Sequence, residues 1–595
     1  MSETVSDFLL ERLRQWGVRW IYGYPGDGIN GILAALARAG NDPEFIQARH
    51  EETAALMACG HAKFTGKPGV CLATSGPGAI HLLNGLYDAK LDHQPVLAIV
   101  GQQPRTALGG DYQQEVDLHS LFKDVAHEYV QTVMIAEQLP AVVDRAMRIA
   151  ITQRTVTCLI IPADLQEATA VKRTPQELKM VPGGVGVVKP CLTPPDEALN
   201  AAAEILNAGE RVAMLIGQGA RGAAVEVIEA ADLLGAGVAK ALLGKDALPD
   251  DLPFVTGGIG LLGTSPTHEM MMGCDTLLMI GSSFPYVPFL PPFGQARGIQ
   301  IDIDGRMIGI RYPMELNLVG DARDTLRALL PRLEHKANRK WRERIEASVA
   351  AWWEQIDAQA GIEAEPVNPQ QLFRELSRQL PDECILAADS GSGTFWFARD
   401  VQLRRGMRAS LSGTLASMGS AVPYAIAAKL NHPDKCVVAL AGDGAMQMNG
   451  MAELLTVAHY WHLWKAADPR FIVLVLHNND LSLVSWEMRA MQGAPKFEAT
   501  QRLPECNYAA FAEMIGMKGI RVERPEQVRT AWEQAFATGG PVVIDAVCDP
   551  NVPPLPPHVT WKQSTALLSS LLKGDPDAGQ IVRQIVKSKA VELVH

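Results

Sequence analysis

A basic surplus, paired cysteines and long uncharged runs are what this chain of 595 residues lacks. Lys and Arg number 54 against 66 Asp and Glu, a net charge of −12. A nucleic-acid partner needs the opposite balance to neutralise phosphates. The nine cysteines (59, 71, 158, 191, 274, 384, 436, 506 and 548) are scattered and form no Cys-x-x-Cys spacing. That pattern argues against a zinc framework or a disulfide scaffold and reads as reduced core thiols of a cytosolic protein. No uncharged stretch reaches the roughly 20 residues of a membrane span. The start, Met1-Ser2-Glu3-Thr4, is acidic and leads into an amphipathic helical pattern, unlike a secretory signal. Short internal repeats and low-complexity tracts are absent as well.

What is present is an alternation of short Val/Ile/Leu runs with helical stretches, the mark of parallel sheets covered on both faces. The runs 70–74, 95–100, 212–216, 276–280, 298–303, 436–441, 471–476 and 542–547 are predicted strands. The length allows three or more domains. The pattern predicts an α/β protein of three doubly wound parallel-sheet domains, at 1–180, 190–345 and 365–552, with a carboxyl-terminal tail at 553–595. The breaks fall near Thr174 to Lys189, near Glu354 to Pro369, and at the proline run 553–557, which reads as a stiff connector.

Gly442-Asp443-Gly444 is the most informative motif. Asp443 follows one predicted strand, a helix opens at Ala445, and Asn478 and Asn479 close the next strand. A carboxylate and an amide oxygen at the same end of neighbouring strands are hard ligands suited to one octahedral Mg²⁺, which also takes phosphate oxygens. The helix start adds N–H donors and its positive dipole end for a diphosphate. Alone, Gly-Asp-Gly is more often an ordinary turn; its setting between strand, helix and Asn-Asn is what makes it specific.

This constellation resembles the diphosphate signature of thiamine-diphosphate enzymes, and the amino-terminal half carries matching motifs. Arg49-His50-Glu51-Glu52 follows a strand-like run, Ser75-Gly76-Pro77-Gly78 follows another, and His81-Leu82-Leu83-Asn84-Gly85-Leu86-Tyr87-Asp88 comes next. In order and spacing, the chain from about Val5 to Lys589 is similar to the pyruvate oxidase and quinone-dependent pyruvate dehydrogenase branch, with acetolactate synthase as a relative. The resemblance implies a pyrimidine-binding first domain, a central FAD-binding-like domain and a diphosphate-binding third domain, the first and third sharing one fold. It also implies thiamine diphosphate, Mg²⁺ and FAD as cofactors.

Residue by residue, the resemblance gives Glu51 the bond to the coenzyme's aminopyrimidine that prepares loss of the thiazolium C2 proton. A carboxyl buried in such a place is held in its proton-bearing form. In isolation, both Glu51 and Glu52 read as helix N-terminal acids. Met418, in Leu415 to Ser420, matches the apolar residue wedged between the coenzyme rings. By itself it reads as a core methionine of a helix. Gly26, Pro77, Asn84, Ser417, Gly442, Gly444, Ala445 and Leu483 complete the implied coenzyme contacts. For the metal, Asp443 stands with Asn478 and the Asp480 carbonyl, or with Asn479 and the Leu481 carbonyl; the step to Glu487 favours Asn478. Trp461 to Arg470 resembles an insertion, tolerable in a loop at the far end of the sheet.

In the middle domain, Gly217-Gln218-Gly219-Ala220-Arg221-Gly222 matches G-x-G-x-x-G after a strand, a weak signal alone. Gly263 and Thr264, the run Ser283-Phe284-Pro285-Tyr286, and Asp302 and Asp304 at a strand end resemble FAD-binding segments of pyruvate oxidases. A fold that binds no dinucleotide, with Arg221 as a surface cation, is the plainer alternative. In the pocket, Gln114 and Glu115 match the family, whereas Gln113 replaces a phenylalanine and points to a larger or more polar 2-oxo acid as an alternative to pyruvate. Leu483, Val484, Trp486 and Glu487 form the opposite wall.

The implied activity is decarboxylation of a 2-oxo acid, most simply pyruvate, with electrons passing to FAD and then to quinone or O₂. The implied catalytic residues are Glu51, Met418, Gln114 and Glu487. The family builds its site between subunits, so a homodimer is the minimum and a tetramer is expected. An acetolactate-synthase-like carboligase and an inactive scaffold or regulatory subunit are the rivals. Two amphipathic segments, 561–573 and 580–594, either pack on the catalytic domain or touch the inner membrane face peripherally.

Overall fold

A computed structural model of the chain describes residues 3–171, 179–188, 190–554, 556 and 558–594. Three six-stranded sheets, all parallel, form its frame. Numbering strands by sequence within each sheet, the first (Trp20–Gly23 through Val156–Pro162) runs 2-1-3-4-6-5. The third (Ile385–Ala388 through Pro541–Val547) repeats that order, while the central sheet (Val212–Ile216 through Leu316–Val319) runs 6-5-4-1-2-3. The strands form where apolar runs let both faces be covered: Val96–Gln102, Val156–Pro162 and Phe471–His477 are buried at every position. That is the requirement of a parallel sheet with helices on both sides. The expected alternation thus yields the expected α/β architecture.

The first and third domains share a core. Helix Glu51–Thr65 lies against helix Ala421–Asn431, and a Cβ on Gly60 would come within 2.9 Å of the Tyr424 Cα, so only glycine lets the backbones approach this closely. One continuous apolar cluster joins Trp20, Phe64 and Val100 to Tyr424, Val473 and Val543.

The helix ends and loops near the expected breaks are as follows. Helix Lys340–Ala360 runs through Glu354, because Trp352 and Ile356 bury an apolar stripe, leaving 361–368 as the crossing to the third domain. Residues 411–420 are not helical: Ala416 and Gly419 adopt positive φ (56° and 84°), and the helix opens only at Ala421. Met418 therefore sits on a loop rather than a helix. Trp461 to Arg470 forms a short turn and loop before strand Phe471–His477, at the end of the sheet opposite Asp443, with Trp464 buried as its plug. Expectations falling on residues 172–178, 189, 555 and 557 lie outside the described residues.

The carboxyl-terminal segments are helices Trp561–Leu572 and Ala578–Val594. Between them Asp575 takes both Arg489 Nε (2.8 Å) and an Arg489 terminal nitrogen (3.0 Å), with both side chains buried, and Asp577 takes the same guanidinium at 2.8 Å. The second helix buries Ile581 and bonds Gln584 to Asp549 at 3.1 Å. The first leaves Trp561, Leu568 and Leu572 exposed. Among the described residues, no helix is long and apolar enough to cross a membrane.

Candidate active site

In open parallel sheets, ligands seat beyond the carboxyl ends of the strands where the strand order reverses. For the order 2-1-3-4-6-5 that point lies between strands 1 and 3. In the third domain these are Ile385–Ala388 and Val437–Gly442, and the residues just past them are Asp389 and Asp443. Asp443 is only 3% exposed. Its Oδ1 accepts from Gly444 N at 2.9 Å; its Oδ2 accepts from Asn478 N at 2.8 Å and Asn479 N at 2.6 Å. Burial pushes the carboxyl up to about 6, against the pull of these donors and of His477. Among the described residues no Lys or Arg pairs with it. A buried carboxylate satisfied only by backbone N–H groups is a donor set that suits a divalent cation.

The two asparagines point apart. Asn478 Oδ1 accepts from Asp480 N at 3.1 Å and its amide reaches Ser482, in a small cavity shared with Trp396, Trp486 and Cys548. Asn479, at φ 54°, turns its Oδ1 to His477 Nε2 at 2.9 Å, on the side where the Tyr508 hydroxyl meets the Asp443 carbonyl at 3.4 Å. His477 is fully buried; burial would lower its pKa, yet Asp545, 2.8 Å from Nδ1, holds it above the ordinary value. Asp480 spends its side chain on Ser485 and Lys496.

Asp389 was not singled out from the sequence, although it also follows a strand and precedes Ser-Gly. It accepts from Gly419 N (2.8 Å) and Ala421 N (2.9 Å) and so shapes the turn that carries Met418. Burial pushes it up to about 6 as well. Met418 Cε lies 3.2 Å from where a Gly444 Cβ would stand, and Leu481 Cδ2 lies 2.7 Å away, so the Gly442–Ala445 turn is bordered by apolar groups. Asn449, also unforeseen, has both side-chain polar atoms buried without a partner beside Gly419. Orphaned amides at this place fit a site that binds a polar ligand.

In the first domain the reversal lies between Trp20–Gly23 and Gly69–Ala73. A Cβ on Gly26 would be 2.5 Å from Thr74 Cβ, and Thr74 Oγ1 accepts from Gly28 N at 2.9 Å, so Gly26 is required by the close approach of these two segments. Pro77 opens helix Pro77–His81 beside Gly76, and Gln114, at φ 62°, faces Ser75 Oγ at 3.4 Å. Glu51 begins helix Glu51–Thr65, is buried, and meets His81 Nδ1 at 3.0 Å. His81 in turn faces His50, with ring centroids 4.4 Å apart. A Cβ on Gly78 would stand 3.0 Å from Glu51 Oε1. Asn84 links the halves, its amide donating to Glu52 Oε1 and Ser417 Oγ, each at 2.7 Å. Gln113 and Glu487 are exposed, Leu483 is half-buried, and Trp486 is buried with its indole N–H on the Pro550 carbonyl at 3.2 Å. Trp486 is thus a packing residue in this chain.

The central order 6-5-4-1-2-3 reverses between Val212–Ile216 and Thr276–Ile280, where Gly217 and Gly281 follow. Here the turns pack on one another: a Cβ on Gly219 would meet Gly281 Cα at 2.7 Å. Arg221 is bound to Asp246 at 2.6 Å and to the Leu243 carbonyl at 2.8 Å, so it is not a bare surface cation. Thr264 caps helix Ser265–Gly273, while Gly263 sits tightly on the Gly258 carbonyl. Phe284 and Tyr286 meet edge to face at 5.6 Å over Gly260, flanking Ser283 and Pro285. Asp302 ends its strand with a carboxyl raised by burial, and Asp304 is held below the ordinary range by Arg306. A strand order of this type, glycines at the reversal and carboxylates ending the next strand suit a dinucleotide.

Comparison with known proteins gives matches across all three sheets. Residues 3–121 match the N-terminal TPP binding domain of thiamine pyrophosphate enzymes, 199–329 the central domain and 389–546 the C-terminal TPP binding domain. The chain is 38% identical over 571 residues to a putative thiamine pyrophosphate-containing protein, YdaP, of Bacillus subtilis, covering 96% of each. It is 32% identical to a pyruvate oxidase of Lactiplantibacillus plantarum (91% of this chain, 87% of the other). It is 30% identical to a probable acetolactate synthase large subunit of Methanocaldococcus jannaschii, over 93% of each.

Proposed function

The chain belongs to the thiamine pyrophosphate enzymes, and from that premise we propose that it oxidatively decarboxylates a 2-oxo acid, pyruvate in the first instance. In this reading the central domain would hold a flavin, which would supply two-electron redox capacity, with a quinone or O₂ as final acceptor and acetate (with water) or acetyl phosphate (with phosphate) as product. Thiamine diphosphate, when bound, supplies the carbon centre that activates the substrate's carbonyl. The chain's own residues do the rest. Glu51 would hydrogen-bond the pyrimidine end of the coenzyme. Asp443 and the amide oxygen of Asn478 or Asn479, with the Asp480 or Leu481 carbonyl, would hold Mg²⁺. The Gly442–Ala445 turn offers its N–H groups to the diphosphate, and Met418 forms an apolar rest. Gln114, Leu483 and Glu487 border the substrate. Gly217, Gly219 and Arg221 would face the flavin diphosphate, with Gly263, Thr264 and Ser283 to Tyr286 around it and Asp302 and Asp304 toward ribose hydroxyls.

The observation that carries the flavin is the central strand order, with glycine turns at its reversal point. The pyruvate oxidase relative supports the redox use of that flavin. Acetolactate synthase relatives of similar identity support a second reading, carboligation with a non-redox flavin. Trp486 is buried with its indole N–H on the Pro550 carbonyl, which takes it out of the expected pocket wall. Anaerobic mixing of the purified protein with pyruvate separates the two. Bleaching of the flavin band supports the oxidase; acetolactate without bleaching supports the ligase; no flavin absorbance at all removes both. A homodimer or tetramer in the cytoplasm, in contact with the membrane through the exposed apolar residues of Trp561–Leu572, is part of the same proposal.

A further inference from the structure

The Gly217–Gly222 turn of the central domain and the Ser417–Met418 segment of the third domain belong to different sheets, yet one first-domain residue touches the setting of both. Asp92 stands at the end of helix Leu83–Leu91, with a side chain that is 0% exposed. Its Oδ2 takes Lys63 Nζ at 2.6 Å and Gly413 N at 2.9 Å; its Oδ1 takes Thr414 N at 2.8 Å. Lys63, itself buried, also donates to the Leu411 carbonyl. The carboxylate therefore fixes the start of the loop that leads to Ser417 and Met418. Three residues later the loop is fixed again, as Ser417 N donates to Ser412 Oγ at 2.8 Å.

The backbone carbonyl of the same residue faces the other way. It accepts from Gln94 Nε2 at 2.6 Å and from Gln218 Nε2 at 3.1 Å, and the two glutamines meet at 3.3 Å. Gln218 is the second residue of the glycine turn. A parallel contact runs from that turn to the strand before the loop: Arg221 donates to the Ala409 carbonyl at 3.3 Å, and its partner Asp246 accepts from Ala409 N at 3.2 Å. The loop is seated on the central domain with no slack, since a Cβ on Gly413 would lie 2.4 Å from Leu243 Cγ. On the loop side the bonds are charge-assisted and buried and have little freedom to stretch; the neutral Gln218 bond joins the turn to that rigid piece, so an arrangement imposed on the turn is passed to the loop.

We propose that Asp92 is a positioning residue that couples the Gly217–Gly222 turn to the Ser417–Met418 segment, so that a flavin dinucleotide and thiamine diphosphate each tighten the binding of the other. The proposal rests on the reading of these two segments as cofactor sites. A dinucleotide that orders the turn fixes Gln218 and, through Asp92, presents Met418 and Ser417 already placed. The ordering cost is then met once rather than twice.

The test is calorimetric titration of the cofactor-stripped full chain with FAD alone, with thiamine diphosphate and Mg²⁺ alone, and with each in the presence of the other. Wild type should show at least about a fivefold gain in affinity, the same in both directions, as linkage requires. Gln218→Leu, which deletes the donor and spares the buried ion pair, should bring that ratio to about 1 while both ligands still bind. Asp92→Asn is the harsher companion: it strands Lys63 and is read only if the chain folds. A wild-type ratio of 1 with both ligands bound overturns the coupling and leaves the cofactor reading intact. A ratio kept in Gln218→Leu overturns the route through Asp92. Failure of FAD to bind at all removes the reading underneath, and the coupling with it.

Discussion

Metal affinity should depend on pH through one buried carboxyl, Asp443. Burial raises it from the ordinary 3.8 to about 6, and only the ionised form can hold a cation. At pH 8 almost every molecule carries the charge; at pH 5 about one in ten does. Apparent affinity for Mn²⁺, used as a relaxation probe, should therefore be flat above about pH 7 and fall about tenfold by pH 5, roughly 1.4 kcal/mol. Stability runs the opposite way in the metal-free protein. Because the folded value lies above the unfolded one, the contribution is fully present below about pH 4 and is lost as pH rises through 6. The raised value costs on the order of 3 kcal/mol at pH 8. Acid thus steadies the empty domain while it loosens the metal. Asp443→Asn should bind no Mn²⁺ at this site at either pH, which separates it from adventitious sites. Wild-type affinity within twofold between pH 5 and pH 8 would refute the argument that burial holds this carboxyl up.

Glu51→Gln should lower turnover by about 10²-fold or more and leave thiamine diphosphate binding, read by calorimetry, nearly unchanged; an unaltered rate would defeat its assignment. Gly78→Ala places a methyl 2.7 Å from Thr74 Cγ2 and 3.0 Å from Glu51 Oε1, so both side chains must give way, and steady-state kinetics should show a lower kcat. Arg489→Ala leaves the buried Asp575 without its cation, whereas Asp577 keeps Lys496 at 3.7 Å; stranding one partner of a buried pair costs about 3–5 kcal/mol. Hydrogen exchange across 575–594 should then accelerate, and protection equal to wild type would contradict the docking.

Much of this frame was legible because buried parallel strands announce themselves as apolar runs. Strands 212–216 and 276–280 fall where expected, and the other predicted strands shift by a residue or two. The segment around Met418 was misread as helical. Its shape is set by Asp389, some thirty residues earlier, which draws in the Gly419 and Ala421 N–H groups; no local periodicity carries that. His81 stands in a quoted motif without a role, and Asn449 escaped notice, for the same reason: their meaning lies in Glu51 and Gly419. The choice between Asn478 and Asn479 is not legible from spacing, because both lie past the strand, which ends at His477. Asn479, in the turn beyond it, adopts positive φ. Arg221 read as a phosphate contact or a free cation, and its partner Asp246 lies too far along the chain for the motif to reveal.

The outer domains use a single strand order twice, and the residues just past the third strand differ: Thr74 and Ser75 in one, Asp443 in the other. One strand end therefore carries hydroxyls, with Glu51 as the nearby acid, and the other carries a carboxylate. A long molecule with an uncharged ring at one tip and a metal-bound anion at the other has only one way round in which both tips are satisfied. Its direction is written by two side-chain types on otherwise interchangeable scaffolds.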